Sequence, residues 1–156
     1  EEDFRNEKEV KDLIRLKIDV VELIAEISMR KLDLNSAMEN IEYALTEAHR
    51  IFKPCSGRIA GLLLLQGIAL SHQGKRVEAL SQMQMVVRLC ELALGVNHLE
   101  TAKAQLWLAV TLSSMDNWQQ SQEVIEVAVG SLRSCLGARS LIVYDAQHVL
   151  ANALYD

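Results

Sequence analysis

Aromatic residues make up only 4% of this 156-residue sequence, with two Phe, and it contains a single Pro. Sandwiches and barrels lean on aromatic residues in strands and on turn-forming Pro. Their scarcity, beside abundant Leu and Ala, favours helices. No apolar run approaches the ~18 residues a spanning helix needs. The longest candidate, Ile59 to Leu70, is interrupted by Gln66 and ends at Ser71-His72, so no membrane partner is expected. Basic residues do not cluster. Lys and Arg number 16 against 21 Asp and Glu, a formal net charge of −5, and this balance argues against nucleic acid. There is no signal peptide and no initiating Met. The opening Glu1-Glu2-Asp3 reads as the start of a segment excised from a longer chain, from which a targeting sequence could have been lost.

Cysteines are three, Cys55, Cys90 and Cys135. An odd count at wide spacing implies neither a disulfide framework nor a zinc knuckle. Cys90 and Cys135 sit in helical patterns and are expected to be buried, unreactive thiols. That usage places the protein in a reducing, cytoplasmic compartment. The four His (His49, His72, His98 and His148) show no i, i+4 metal pair and no HExxH, and glycines are too scattered for a phosphate loop. Ser113-Ser114 and the thiols have no base fixed nearby in sequence. Neither a cofactor nor a catalytic role is expected.

Half of the residues are hydrophobic, enough for one domain with a continuous core. Their arrangement repeats. Ala25, Gly67, Ala109 and Ala151 recur with a 42-residue period, as do Ala37, Ala79 and Ser121. Ile41, Met83 and Ile125 share the spacing, and so do Ala44, Val86 and Ala128, Gly95 and Gly137, and Ser56, His98 and Ser140. Within one unit Ile59, Leu62, Leu63, Gln66 and Leu70 form a helical face. Gly74-Lys75 breaks it, and Ala79, Leu80, Met83, Val86, Val87 and Cys90 form a second. The equivalent breaks are Leu32-Asp33-Leu34 and Asp116-Asn117-Trp118. Asn35 and Asn117 are the expected N-caps. Pro54, Gly95 and Gly137 end the second helices. The pattern predicts about seven helices, over 8–31, 35–52, 57–73, 76–93, 99–115, 118–135 and 139–155. They make a single domain over 1–156, with repeats at about 14–55, 56–97 and 98–139 and a half repeat at 140–156. Small residues twelve positions apart, such as Ala25 and Ala37, mark the crossing point of each hairpin, because two helices approach closely only where side chains are small.

This pairing of small residues resembles the tetratricopeptide family, in which a small residue, a turn Gly, an aromatic and an Ala recur in order. Gly67, Gly74 and Ala79 match in one repeat, and Ala109, Trp118 and Ser121 in the next. Arg76 and Leu34 replace the aromatic, and Leu32 and Asp116 replace the turn Gly. The 42-residue unit is similar to that of kinesin light chains, whose Leu-Gly-x-x-His-Pro opening is matched by Leu94-Gly95-Val96-Asn97-His98, with Leu99 in the place of Pro. A shorter segment, His49-Arg50-Ile51-Phe52-Lys53-Pro54 with His72-Gln73-Gly74, looks like the C-terminal helical domain of SET-and-MYND lysine methyltransferases. That resemblance implies an accessory domain of an enzyme.

The first resemblance implies an all-α, right-handed superhelical stack of helix-turn-helix repeats that binds another protein as a scaffold or adaptor. It also implies that the first helix of each hairpin faces the partner. Carried over from the small-residue anchors, the inward positions are Asp19, Glu22, Glu26, Met29 and Arg30, then Gly61, Leu64, Ile68, Ser71 and His72. The third repeat offers Lys103, Leu106, Val110, Ser113 and Ser114, and the fourth Asp145, His148, Asn152 and Tyr155. Leu64, Ile68, Leu106 and Val110 make an apolar floor between acidic ends. This suits a peptide or amphipathic helix with basic flanks. Kinesin light chains bind acidic peptides in basic grooves, so the charge here runs the other way. A further expectation is self-association through Val143, Val149 and Leu150 of the unpaired last helix.

Overall fold

The computed structural model describes residues 2–137, with side chains from residue 7 onward. Six helices follow one another: α1 (Glu2–Arg30), α2 (Leu34–Ile51), α3 (Gly57–His72), α4 (Arg76–Leu94), α5 (Leu99–Ser113) and α6 (Trp118–Leu136). No strand is present among the described residues. Each helix packs on the next, and α3 also touches α5, so the first helices of the second and third hairpins lie side by side. The architecture is therefore an all-α stack of three helical hairpins. The half repeat expected at 140–156, with its seventh helix and Val143, Val149 and Leu150, lies outside the described residues.

The turn inside each hairpin is the same structure three times. Leu32, Gly74 and Asp116 are equivalent in the repeat, and all have positive φ, at 61°, 76° and 60°. Behind them Asp33 N–H donates to Ser28 O (2.9 Å), Lys75 N–H to Leu70 O (3.0 Å) and Asn117 N–H to Leu112 O (3.1 Å). A residue in left-handed conformation followed by this six-to-one bond is a Schellman ending, which satisfies carbonyls the helix terminus would otherwise leave unpaired. Glycine adopts this conformation without strain, whereas Leu32 and Asp116 pay for their Cβ. Between hairpins, Gly95 (φ 96°, ψ 160°) and Gly137 (φ 80°, ψ 155°) occupy backbone open only to glycine. The first hairpin uses Phe52 in extended conformation instead, followed by Lys53-Pro54.

Helix starts differ in part from expectation. α2 begins at Leu34, so Asp33 is its N-cap, accepting from Ser36 N–H at 3.3 Å, and Asn35 already lies inside the first turn. Asn117 is the cap residue of α6 but does not cap through its side chain, which donates to Gln120 Oε1 at 2.9 Å. Ser56 and His98, equivalent in the repeat, both cap through their side chains, onto Ile59 and Glu100 N–H.

The crossing points are as the small residues require. Ala25, Ala37, Ala79, Ala109 and Ser121 are fully buried. A Cβ on Gly67 would stand 2.9 Å from Met83 Cε, so any larger side chain there displaces the facing helix's methionine. In the third hairpin Ser121 Oγ donates to Ala109 O at 2.8 Å, across the expected twelve-residue separation. Three apolar clusters then run along the stack. They are built around Ile18, Ile41 and Leu62, around Met83, Val86 and Leu108, and around Ile125, Val129 and Leu132.

Two thiols of three depart from burial. Cys90 is buried, and burial pushes its thiol up to about 11, with Glu100 and Glu91 adding to the effect. Cys135, expected inside, is exposed, with Sγ against the Asn97 carbonyl, and Cys55 is exposed as well. The repeat explains the difference. Leu132, not Cys135, is the counterpart of Cys90 one full period later, and α6 turns Ile125, Ala128, Val129 and Leu132 inward.

Candidate partner-binding groove

α1, α3 and α5 share one face of the stack, and a depression on it gathers residues from all three. Glu26, Met29, Arg30 and Leu32 come from the first hairpin, Leu65, Ile68 and His72 from α3, and Trp107 from α5. An adjoining depression is lined by Lys103, Leu106, Trp107 and Val110. Trp107 belongs to both. Helical geometry produces this arrangement. Residues three and four apart share a face, so Glu26, Met29 and Arg30 stand in line, as do Leu65, Ile68 and His72, and Lys103, Leu106, Trp107 and Val110.

The residues carried over from the sequence divide accordingly. Glu26, Ile68 and His72 come together in the first depression, and Lys103, Leu106 and Val110 in the second. Ile68 is 9% exposed and belongs at once to the core and to the groove wall, whereas Val110 is 39% exposed. Leu64 lines neither depression. It is half-buried against the cluster of Met83, Val86 and Leu108, and Leu65 stands in the groove instead. Ser113 turns toward the second helix of its own hairpin, with Oγ 2.7 Å from Ser121 Oγ. Asp145, His148 and Asn152 lie outside the described residues.

Trp107 and Leu65 were not among the expected groove residues. The signal was available, because they are equivalent in the repeat and each precedes a small anchor, Gly67 or Ala109, by two. Arg58, in the first turn of α3, was also missed. Its guanidinium pairs with Asp19 and, at 2.6 Å, with Glu22 of α1. Thirty-nine residues separate Arg58 from Asp19, so no local pattern announces the pair. Two of the three α1 acids expected to greet a partner therefore also tie the first repeat to the second. Burial raises the Glu22 carboxyl pKa, Arg58 opposes the rise, and neighbouring Glu26, Asp19 and Glu100 add to it. Lys103 is paired with Glu100 at 2.8 Å, one turn back on the same helix.

Among the described residues no cluster of three or more His, Cys, Asp or Glu is placed to hold a metal ion, and no helix is long and apolar enough to cross a membrane. No family model and no curated protein matches the chain. Solved structures do. BtubC from P. vanneervenii superposes with a TM-score of 0.77 at 15% identity, over 92% of this chain and 57% of its own. A kinesin-light-chain-type protein of Podosopora anserina with nearly identical TPR-like repeats superposes at 0.78 with 18% identity, over 88% of this chain and 65% of its own. A single-substitution form of the latter matches equally well. The chain thus spans less than two thirds of the structures it resembles. With three hairpins in one 42-residue register and these neighbours, the chain has the tetratricopeptide-like repeat fold.

Proposed function

We propose that this chain is a protein-interaction module whose groove, lined by α1, α3 and α5, takes a peptide or amphipathic helix of another protein. One observation carries the reading. Three successive repeats bring Met29, Leu32, Leu65, Ile68 and Trp107 to one largely apolar depression, with Glu26, Arg30 and His72 as its polar lining. An extended apolar seat continuing past Trp107 to Leu106 and Val110 fits anchors at helical spacing. Glu26, with the partly offset acids Asp19 and Glu22, favours basic residues flanking those anchors, and Lys103 lines the adjoining seat in the third repeat. Apolar burial supplies most of the affinity, at roughly 1.5–3 kcal/mol per side chain before ordering costs. Exposed charge contributes under about 1 kcal/mol per pair and sets direction. The free thiols of Cys55, Cys90 and Cys135 support a reducing, cytoplasmic setting.

The test is selection of displayed random peptides on the wild-type chain, followed by affinity measurement on a Trp107→Ala, Val110→Asp variant whose helical circular dichroism is unchanged. Selected peptides should carry apolar residues at i, i+3 or i+4 with Lys or Arg beside them. The variant should weaken them by about 100-fold, the equivalent of losing two apolar contacts. Affinity that survives both substitutions refutes the groove.

A further inference from the structure

α1 is 29 residues long, against 16 for α3 and 15 for α5, although all three are the first helices of their hairpins. Its outer face carries Leu13, Leu16, Val20, Leu23 and Ile27, all between 50% and 72% exposed. Their spacing of 3, 4, 3 and 4 is that of a coiled-coil seam, with Leu13, Val20 and Ile27 at a and Leu16 and Leu23 at d. Ile18 and Ala25, at f on the opposite side, are buried in the stack. The helix is therefore committed on one face and open on the other.

Part of this open face has counterparts that are covered elsewhere. Val20 corresponds to Leu62 and Ala104, and Ile27 to Ala69 and Thr111, all buried. Leu62 and Ala69 lie in the cluster with Ala44, Leu45 and Ala48 of α2, and Ala104 lies in that with Val86, Val87 and Cys90 of α4. The stripe nevertheless differs from a repeat-to-repeat contact. Ile27 is bulky where its counterparts are Ala69 and Thr111. Leu16 stands where the others have Arg58 and Glu100. Leu13 falls where they have loop residues, Cys55 and Asn97. The seam thus runs beyond the region that a neighbouring hairpin covers.

We propose that α1 pairs with α1 of a second copy of this chain as a parallel, two-stranded coiled coil through this seam. β-Branched Val20 and Ile27 at a with Leu16 and Leu23 at d favour two strands. Charge fixes the direction. The g positions are Asp12, Asp19 and Glu26, and the e positions after them are Lys17, Ile24 and Lys31. In a parallel pair g meets the following e of the other helix, so Asp12 faces Lys17, and Glu26 faces Lys31, the first residue beyond α1. An antiparallel pair would set the acidic g rows against each other. Lys17 is held at the seam's edge, 4.9 Å above the Tyr43 ring and 4.0 Å from Glu47, with its side chain half exposed.

Sedimentation equilibrium of the 156-residue chain tests this. The wild type should sediment at twice the chain mass. A Leu16→Glu, Leu23→Glu variant, altered only at exposed positions, should sediment as a monomer with unchanged helical circular dichroism. In a Cys55→Ser, Cys135→Ser background, Leu13→Cys should oxidise to a covalent dimer by itself. A wild-type monomer at the highest attainable concentration overturns the proposal and leaves the stripe to the helix of a different protein. A seam variant that remains dimeric overturns it in favour of another surface. A disulfide that forms only when Leu13→Cys is mixed with Leu23→Cys overturns the parallel arrangement, because antiparallel helices set a against d and Leu13 lies about 15 Å along the helix from Leu23.

Discussion

Replacing Ser121 by Val tests the crossing point on which the repeat rests. Ser121 is fully buried in α6, and its Oγ lies 2.8 Å from Ala109 O and 2.7 Å from Ser113 Oγ. Ser121→Ala removes those bonds but keeps the shape that Ala37 and Ala79 provide in the other hairpins. Ala109 O still accepts its own helical bond, and Ser113, being half-buried, finds other partners. The expected cost is about 0.5–1.5 kcal/mol, the net value of a buried hydrogen bond. Ser121→Val loses the same bonds and also drives a branched side chain into the backbone of α5, at about 1–3 kcal/mol of overpacking. The sum, about 1.5–4.5 kcal/mol, should lower the thermal midpoint by roughly 2–4 °C per kcal/mol for a chain of this size. Urea unfolding followed at 222 nm measures it, with Val127→Ala, on the exposed side of α6, as a control expected within about 0.5 kcal/mol of wild type. If Ser121→Val is no worse than Ser121→Ala, the hairpin does not depend on close approach and the reasoning from small residues fails.

The turns, thiols and acids carry their own tests. Leu32→Gly should stabilise by about 1 kcal/mol in urea unfolding, because Leu32 has φ 61° and makes a Schellman turn, while Gly74→Ala at the equivalent position should cost about as much. Thiol titration near pH 8 should label Cys55 and Cys135 quickly and Cys90 only on unfolding, since burial raises the Cys90 thiol to about 11. Glu22 is an acid raised above 4.5, so the folded state holds its proton to higher pH than the unfolded chain does. The Glu22 contribution to stability should therefore fall as pH rises from about 4.5 through the folded value, and Glu22→Gln should flatten that part of a stability-against-pH curve.

Sequence alone determined the local and periodic features of this protein. The 42-residue register placed the hairpins, their breaks and their crossing points, because a helix must bury a 3.6-residue face and two helices can cross closely only at small side chains. The register even located the left-handed turns at Leu32 and Asp116, where the residue type itself gives no warning. The register also excludes Cys135 from the core, because Leu132 is the counterpart of Cys90. Tertiary structure decided what depends on three helices at once. Leu65 rather than Leu64 lines the groove, Trp107 joins two depressions, and Arg58 reaches back to Asp19 and Glu22. Those outcomes turn on the rotation of each helix against its neighbours, and a rotation of a few tens of degrees exchanges adjacent residues without altering the periodic pattern. The same holds for α1. The spacing of Leu13, Leu16, Val20, Leu23 and Ile27 gained its meaning only from the packed stack, which buries Ile18 and Ala25 and leaves these five facing outward.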